Sequence, residues 1–406
     1  MVSLNSLPLA ERPPHVPEEL VRDVDLFDLP GNREDVHKSW KWVQENCPRI
    51  FWTPRNGGLW MCTRAKDILE LQNDFEHFGM EGALVPRQKR PFPAPPIDIE
   101  PPEHGPYRLL ISPAFSPKVV AQVEETVRQF TIDLIEGFQP RGECEFVTEY
   151  TKVLPIIVFL TMMGLPLEDR EQLLPFADAI AQSPDPAFAH EARIGLMRYI
   201  EDQMEARKKQ PTDDLLSKIL YAQVNGERIE ERKAIGMATL ALSGGLDTVK
   251  NMLGFHAKFL AQNPAHVKQL VDSPALIPNA VEELFRRHGV SNTARVIRAD
   301  REFCGVLLKE GDQIQGVSAL VGLDEETVPN PMDVDFNRPM PIPHATFGNG
   351  PHRCPGSILA KREIMVWLQE WLPRIPEFRI KKGTVPRQQS AMVNTVSELW
   401  LEWDVA

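Results

Sequence analysis

Only five of the 406 residues are cysteine and only four are tyrosine. The cysteines, Cys47, Cys62, Cys144, Cys304 and Cys354, are odd in number, widely separated and contain no C-x-x-C pair. That excludes a disulfide framework and cluster-type ligation, and it suits a reducing cytoplasm. Apolar runs long enough to span a bilayer are also missing: the segment Ala234 to Leu246 covers only about thirteen residues and is followed by Asp247 and Lys250. Met1 to Glu19 is polar and proline-rich without a secretory core, so neither a leader nor a membrane partner is expected. Basic residues are in deficit, 45 against 57 acidic, for a net charge of −12, which excludes nucleic acid or an anionic membrane as a bulk partner. No repeat, low-complexity tract or Ser/Gly linker divides the chain, so one domain over 1–406 is expected, and nothing favours an oligomer over a monomer. With 42% hydrophobic residues it can bury a core and still enclose a ligand.

What is present is mainly helical periodicity, over Glu34–Glu45, Thr63–Phe78, Pro117–Gly137, Val147–Met163, Ala189–Lys208, Thr212–Ala222, Glu230–Ala261, Asn279–Arg287 and Gly356–Leu372. Short β-rich pieces at Ile50–Trp52, Leu59–Cys62, Thr293–Arg298 and Glu302–Leu308 predict small sheets. The fold class is mainly α with minor β. Pro86 to Pro106 holds eight prolines, which remove backbone donors and predict a long irregular loop, a lid or binding wall. Leu84, Val85, Phe92, Ile97 and Ile99 make it unusually apolar for a solvated connector.

Near the carboxyl end, Phe347-Gly348-Asn349-Gly350-Pro351-His352-Arg353-Cys354-Pro355-Gly356 sets one cysteine in a glycine-rich loop ahead of a helical pattern. The glycines allow tight turns and close approach to a flat partner, and N–H groups at the helix start stabilise a thiolate. The chemistry indicated is a single sulfur presented to a metal. The stretch resembles the F-x-x-G-x-[RH]-x-C-x-G haem-binding loop of the cytochrome P450 family, with His352 where most members carry Arg. The resemblance implies haem b bound through Cys354, with Phe347 and Gly356 fixing the loop; thiolate ligation favours O–O cleavage.

Within the long central pattern lies Ser243-Gly244-Gly245-Leu246-Asp247-Thr248. Two glycines inside a helix cost about 2 kcal/mol relative to alanine. Either a ligand against the bared backbone or close helix–helix packing would offset this. The segment resembles the family's [AG]-G-x-[DE]-T motif, which implies Gly244 and Gly245 beside the haem, Asp247 as proton relay and Thr248 as the hydroxyl that holds water or an oxygen species.

Glu283 and Arg286 share a helix face at i, i+3. They match the family's E-x-x-R, which implies a structural triad with a meander arginine, here Arg338. His104 and Arg108, at i, i+4, together with Arg295 and His352, fall where the family binds haem propionates. The implied fold is a triangular, mostly helical domain with haem between the long central helix and the helix after Cys354.

Pro13-Pro14-His15-Val16-Pro17, Gly322-Leu323-Asp324-Glu325 and Arg374-Ile375-Pro376-Glu377-Phe378 extend the resemblance to the bacterial soluble, camphor 5-monooxygenase type. It implies a monooxygenase that hydroxylates its substrate with O2, two protons and two electrons from a two-iron ferredoxin served by a ferredoxin reductase. No reductase segment is present in the chain. Positions matching the family's pocket are Leu84, Phe92, Ile97, Leu240, Ser243, Ser291, Met392 and Val393. Phe92 stands where the camphor enzymes carry a ketone-binding tyrosine, so the expected substrate is a hydrophobic terpenoid or norisoprenoid rather than camphor. Two further departures are expected to matter. Glu171 to Ala189 lacks the Lys or Arg that ties the relay aspartate in relatives, so Asp247 is freer or pairs elsewhere. Glu76 and Gly105 stand where an arginine is common, which alters charge complementarity toward a ferredoxin. The rival readings are a peroxide-driven haem-thiolate enzyme, against which the acid–alcohol pair speaks, and a haem sensor or carrier without turnover.

Overall fold

The structure is a computed structural model that describes residues 8–87, 92–182 and 186–405. Thirteen α-helices occur among the described residues: α1 (Val36–Asn46), α2 (Ala65–Asn73), α3 (His104–Ile111), α4 (Pro117–Phe138), α5 (Val153–Met163), α6 (Arg170–Gln182), α7 (Pro186–Lys209), α8 (Leu215–Leu220), α9 (Glu231–Gln262), α10 (Pro264–Asp272), α11 (Ile277–Arg287), α12 (Ser318–Val321) and α13 (Ser357–Arg374). Where polar side chains can cap, they set the starts: Asp35 accepts from the His37 and Lys38 N–H groups of α1, and Asp214 accepts from Ser217 of α8. Pro264 opens α10, a position that has no use for its missing donor.

The 32-residue α9 is about 48 Å long at 1.5 Å per residue. It packs against α5, α7, α8 and α10. Leu154 to Leu160 of α5 are buried without exception, as a helix enclosed on all sides requires. α13 packs on α4, and Phe138, Phe146, Trp367, Trp371 and Trp403 interlock around that contact with ring centroids 5.2–6.2 Å apart.

A five-stranded sheet runs in the order β1 (Ile50–Thr53), β2 (Leu59–Cys62), β5 (Gln313–Gly316), β4 (Thr293–Ile297) and β3 (Phe78–Gly79). β5 lies parallel to β2 with Ile314 opposite Trp60, and antiparallel to β4 with Ile314 opposite Arg295. The strand period of two brings Thr293 and Arg295 to one face of β4, where both reach the wall of the large cavity described below.

Three expectations fail for local reasons. The predicted helix Thr63–Phe78 ends at Asn73, because Asp74 turns the chain by accepting from the backbone N–H of His77 before β3 begins. The predicted strand Glu302–Leu308 is a hairpin, Arg301–Phe303 against Val306–Leu308, since Cys304 and Gly305 take φ of 53° and 78° and form a tight turn. Val147–Met163 divides into a π-turn at Val147–Thr151 and α5. The proline-rich segment is irregular where described, at 86–87 and 92–103, but α3 begins at His104, with Pro106 tolerated in its first turn. Residues 88–91 of that segment lie outside the described residues.

Candidate active site

The cysteine loop folds back on itself through short backbone bonds: Cys354 N–H donates to Phe347 O and Gly348 N–H to Ala345 O, both at 2.8 Å. Gly348 and Gly350 take φ of +70° and +69°, and a Cβ on Gly350 would stand 2.4 Å from the carbonyl oxygen of Gln72. No side chain fits there. Phe347 is buried edge-on against Phe285, with ring centroids 4.9 Å apart. The loop then enters α13 at Gly356.

Cys354 faces a cavity of about 260 Å³ whose other wall is α9, contributing Met237, Leu240, Ala241, Gly244 and Thr248. Cys354 is exposed and lines this space. Burial pushes its pKa up, while the Gly356 N–H and the charges of Arg108 and Arg353 act in the opposite direction. The two glycines of α9 are not equivalent. A Cβ at Gly245 would lie 1.8 Å from the Phe159 ring of α5, whereas at Gly244 it would meet nothing within 4 Å. Both glycines line the cavity, but Gly245 also serves helix packing, whereas Gly244 only opens the space. α9 stays unbroken here; the Thr248 hydroxyl donates back to Gly244 O at 3.2 Å.

Arg108, Arg295 and His352 reach the same cavity. Arg108 donates to the carbonyl of Arg353, and Arg295, buried, has its pKa lowered to about 10 by desolvation. His104 does not line the wall but stacks edge-on against His352 at 4.7 Å, with its Nε2 buried and without a partner. Burial first, then the charges of His352 and Arg108, lower its pKa to about 4.

Over 401 residues, and 96% of each chain, the sequence is 32% identical to a probable cytochrome P450 127A1 of Sinorhizobium fredii. This chain belongs to the cytochrome P450 family. The family's sequence pattern, "Cytochrome P450", matches residues 275–395. Among solved structures this P450 superposes on that of CYP101J2 with a TM-score of 0.90 and 35% identity, covering 98% of this chain and 100% of that one. CYP101C1 gives 0.89 and 32%, over 97% and 100%. Both are of the camphor hydroxylase-type CYP101 family, and the mainly helical fold with minor sheets is theirs. A steroid C26-monooxygenase of Mycobacterium tuberculosis is 30% identical over 371 residues, 88% of this chain and 91% of that protein. Among the described residues no helix is long and apolar enough to cross a membrane.

P450s are haem-thiolate monooxygenases, and the residues of this one fit such a group. One accessible thiol faces the cavity from a loop that only glycine permits, a bare glycine of α9 faces it from another wall, and basic side chains gather at one end with an orphaned imidazole nitrogen behind them. A flat dianionic macrocycle requires these features. In this structure His352 Nε2 bonds Glu100 Oε2 at 2.8 Å, and Glu100 also accepts from Met80 N–H at 2.7 Å. Burial would raise the Glu100 pKa, but the hydrogen bond and charge of His352 hold it below the usual range.

The E-x-x-R pair is fully buried: Arg286 donates to both Glu283 oxygens at 2.7 Å and to the carbonyls of Gly322, Pro331 and Asp333. Arg338 Nε donates to Glu283 Oε1 at 2.9 Å. The structure thus brings all three together, beneath the cysteine loop through the Phe285–Phe347 contact.

Of the pocket positions, Ile97, Leu240 and Ser291 line the cavity. Phe92 instead packs toward Gly236 of α9, beside Pro93. Leu84 offers its carbonyl to Gln313, the Ser243 hydroxyl donates to Leu240 O at 3.4 Å, and Met392 and Val393 are outside the lining, Met392 O accepting from Asn292 N–H at 2.8 Å and Val393 forming a β-bridge with Ser291. Asp247 is also outside the lining, turned into an ion pair with Lys250, whose side chain is buried. Three residues of consequence escaped the sequence reading: Glu100, Lys250 and Glu363. Lys250 was signalled by its i, i+3 spacing from Asp247 on one helix. Glu363 of α13 reaches the cavity fully buried with neither oxygen bonded, and burial raises its pKa to about 8. Nothing in its sequence context marks it.

Proposed function

We propose that this P450 hydroxylates a compact hydrophobic substrate of the terpenoid or norisoprenoid class, using electrons from a two-iron ferredoxin and its reductase, with Cys354 as haem ligand. The carrying observation is the wall of the cavity over Gly244, where Ile97, Met237, Leu240 and Ala241 are apolar and the polar groups are small hydroxyls such as Ser291 and Thr293. Among the described residues no tyrosine lines it, so a ketone finds no phenolic donor there.

Bound haem supplies dioxygen activation and C–H oxidation. Arg108, Arg295, His352 and His104 would hold its carboxylates by charge-assisted bonds. Releasing the Glu100–His352 bond frees an imidazole N–H for that task. Thr248 Oγ1, already in the cavity wall, exchanges its bond to Gly244 O for one to a water, holding that water for proton delivery. Asp247 passes protons from behind it by swinging away from Lys250, which keeps the carboxylate in place between transfers. Apolar side chains exclude bulk water and orient one C–H bond.

Spectral titration tests the substrate class. β-Ionone should shift the Soret band of the haem-loaded protein toward the high-spin form at micromolar concentration; an equal or tighter response to camphor would overturn the assignment. Product formation with NADH, a two-iron ferredoxin and its reductase, set against peroxide alone, tests the electron source.

A further inference from the structure

A second cavity, of about 220 Å³, lies away from the haem site between the start of α1, the carboxyl-terminal third of α9 and the end of α11. Its walls gather three permanent cations, Lys38, Lys258 and Arg287, with the imidazoles of His37 and His288 between them. Among the described residues the one carboxylate in the lining is Asp35, whose Oδ1 is committed to capping α1 through the N–H groups of His37 and Lys38.

Asp35 acts on Lys258 and Arg287 only through space, and no cation of the lining has a carboxylate in direct contact among the described residues. Among the described residues no ion pair is formed by Lys258, by Arg287 or by Lys38, which is exposed, and Lys258 Nζ donates only to the carbonyl of Glu34 at 3.1 Å. Arg287 is 6% exposed; its Nε donates to Met332 O at 3.0 Å, but its Nη1 is buried with no partner. His288, equally buried, has an unbonded Nδ1. A buried guanidinium nitrogen without an acceptor is costly and rare in folded proteins. Asp35 on this side and Glu283 and Asp333 on the other act on Arg287 only at a distance, and Glu283 is already held by Arg286 and Arg338. Desolvation dominates at both Lys258 and Arg287 and lowers their pKa values, as it does where a matching anion is lacking.

We propose that this cavity is a binding site for a small dianionic oxyanion, a phosphate or phosphomonoester or a dicarboxylate, held by Arg287, Lys258 and Lys38. Three cations against one carboxylate leave an excess that a dianion neutralises. Guanidinium and ammonium groups converging on one space are the donors that oxyanions select, and the volume exceeds the roughly 30 Å³ share of a water several-fold, so the anion can carry an organic substituent. Phe255 and Phe259 supply an apolar wall for it. A bound anion would join α1, α9 and α11.

Isothermal titration of the haem-loaded protein with inorganic phosphate and, separately, succinate at fixed ionic strength tests this. One equivalent of at least one should bind saturably. Tighter phosphate identifies a phosphorylated ligand, and tighter succinate a dicarboxylate. Lys258→Gln, which removes a charge bonded to one carbonyl, should weaken binding at least about tenfold with an unchanged carbon monoxide difference spectrum. Arg287→Gln should abolish it; if that variant does not fold, Lys258→Gln decides alone. No saturable heat from either anion, or binding unaltered in Lys258→Gln, overturns the proposal.

Discussion

Lys250 changes how the acid of the central helix is understood. Its side chain is 4% exposed, that of Asp247 12%, and apart from this ion pair neither Asp247 oxygen has a hydrogen-bond partner. Between Glu171 and Ala189 the chain carries no Lys or Arg, and the basic partner of Asp247 lies one helical turn away on α9 itself. A pair this buried contributes little net stability, but removing one member strands the other. Lys250→Met should therefore lower unfolding stability by about 3 kcal/mol, and the double variant Asp247→Asn/Lys250→Met should recover most of it. Urea unfolding of the four proteins of that cycle measures the coupling; independent losses in the two single variants would mean that the side chains do not interact in solution.

Among elements, α9 carries the most information per residue. Its glycine pair reads in sequence as one feature, yet the two positions answer to different neighbours. Gly245→Ala must displace Phe159 and should destabilise by about 1–3 kcal/mol despite the better helix propensity. Gly244→Ala meets open space and should leave the haem-free protein as stable, or more stable by up to about 1 kcal/mol. Paired thermal melts distinguish them, and equal losses would refute the asymmetry. In α11, Glu283→Gln leaves Arg286, 0% exposed, without its anion and should prevent haem retention, seen as loss of the carbon monoxide difference spectrum. The same elements show what sequence makes visible. Repeating apolar spacing located α4, α7, α9 and α13 to within three residues at each end, because long amphipathic stripes are set by local periodicity. The cysteine loop and the E-x-x-R pair were legible because their spacing is local. Glu363 was not, because what distinguishes it is burial, a property of packing rather than of spacing, and Lys250, although its spacing from Asp247 is local, is set apart from other such pairs only by the same burial. The pocket positions divided similarly: Ile97, Leu240 and Ser291 face the cavity, whereas Met392 and Val393 are outside the lining, Val393 in a bridge to Ser291 that no linear pattern reveals.

For the molecule as a whole, stability against pH is set by buried groups that oppose one another. His37, His256 and His288 cluster where α1, α9 and α11 meet, with His288 5.2 Å from His37 and 5.9 Å from His256. Burial lowers their pKa values, to about 4 for His37, to about 3 for His256, and well below the usual value for His288. In the unfolded chain each titrates near 6.5. As pH falls below that value the unfolded state takes up protons that the folded state refuses, so stability is lost toward pH 4, by up to about 1.4 kcal/mol per histidine per pH unit. Glu363 works in the reverse sense. Its folded pKa of about 8 lies above the unfolded value of 4.5, so its contribution is whole below pH 4.5 and is lost as pH rises through 8. Between these values three histidines outweigh one carboxyl, and above 6.5 the carboxyl acts alone; the melting temperature should therefore peak close to pH 6.5. Thermal melts from pH 4 to 9 check this with two variants. His256→Leu should flatten the acid limb by about half and leave the alkaline limb in place, whereas Glu363→Gln should flatten the alkaline limb and steepen the acid one; parallel displacement of both limbs by either variant would show that other groups set the profile.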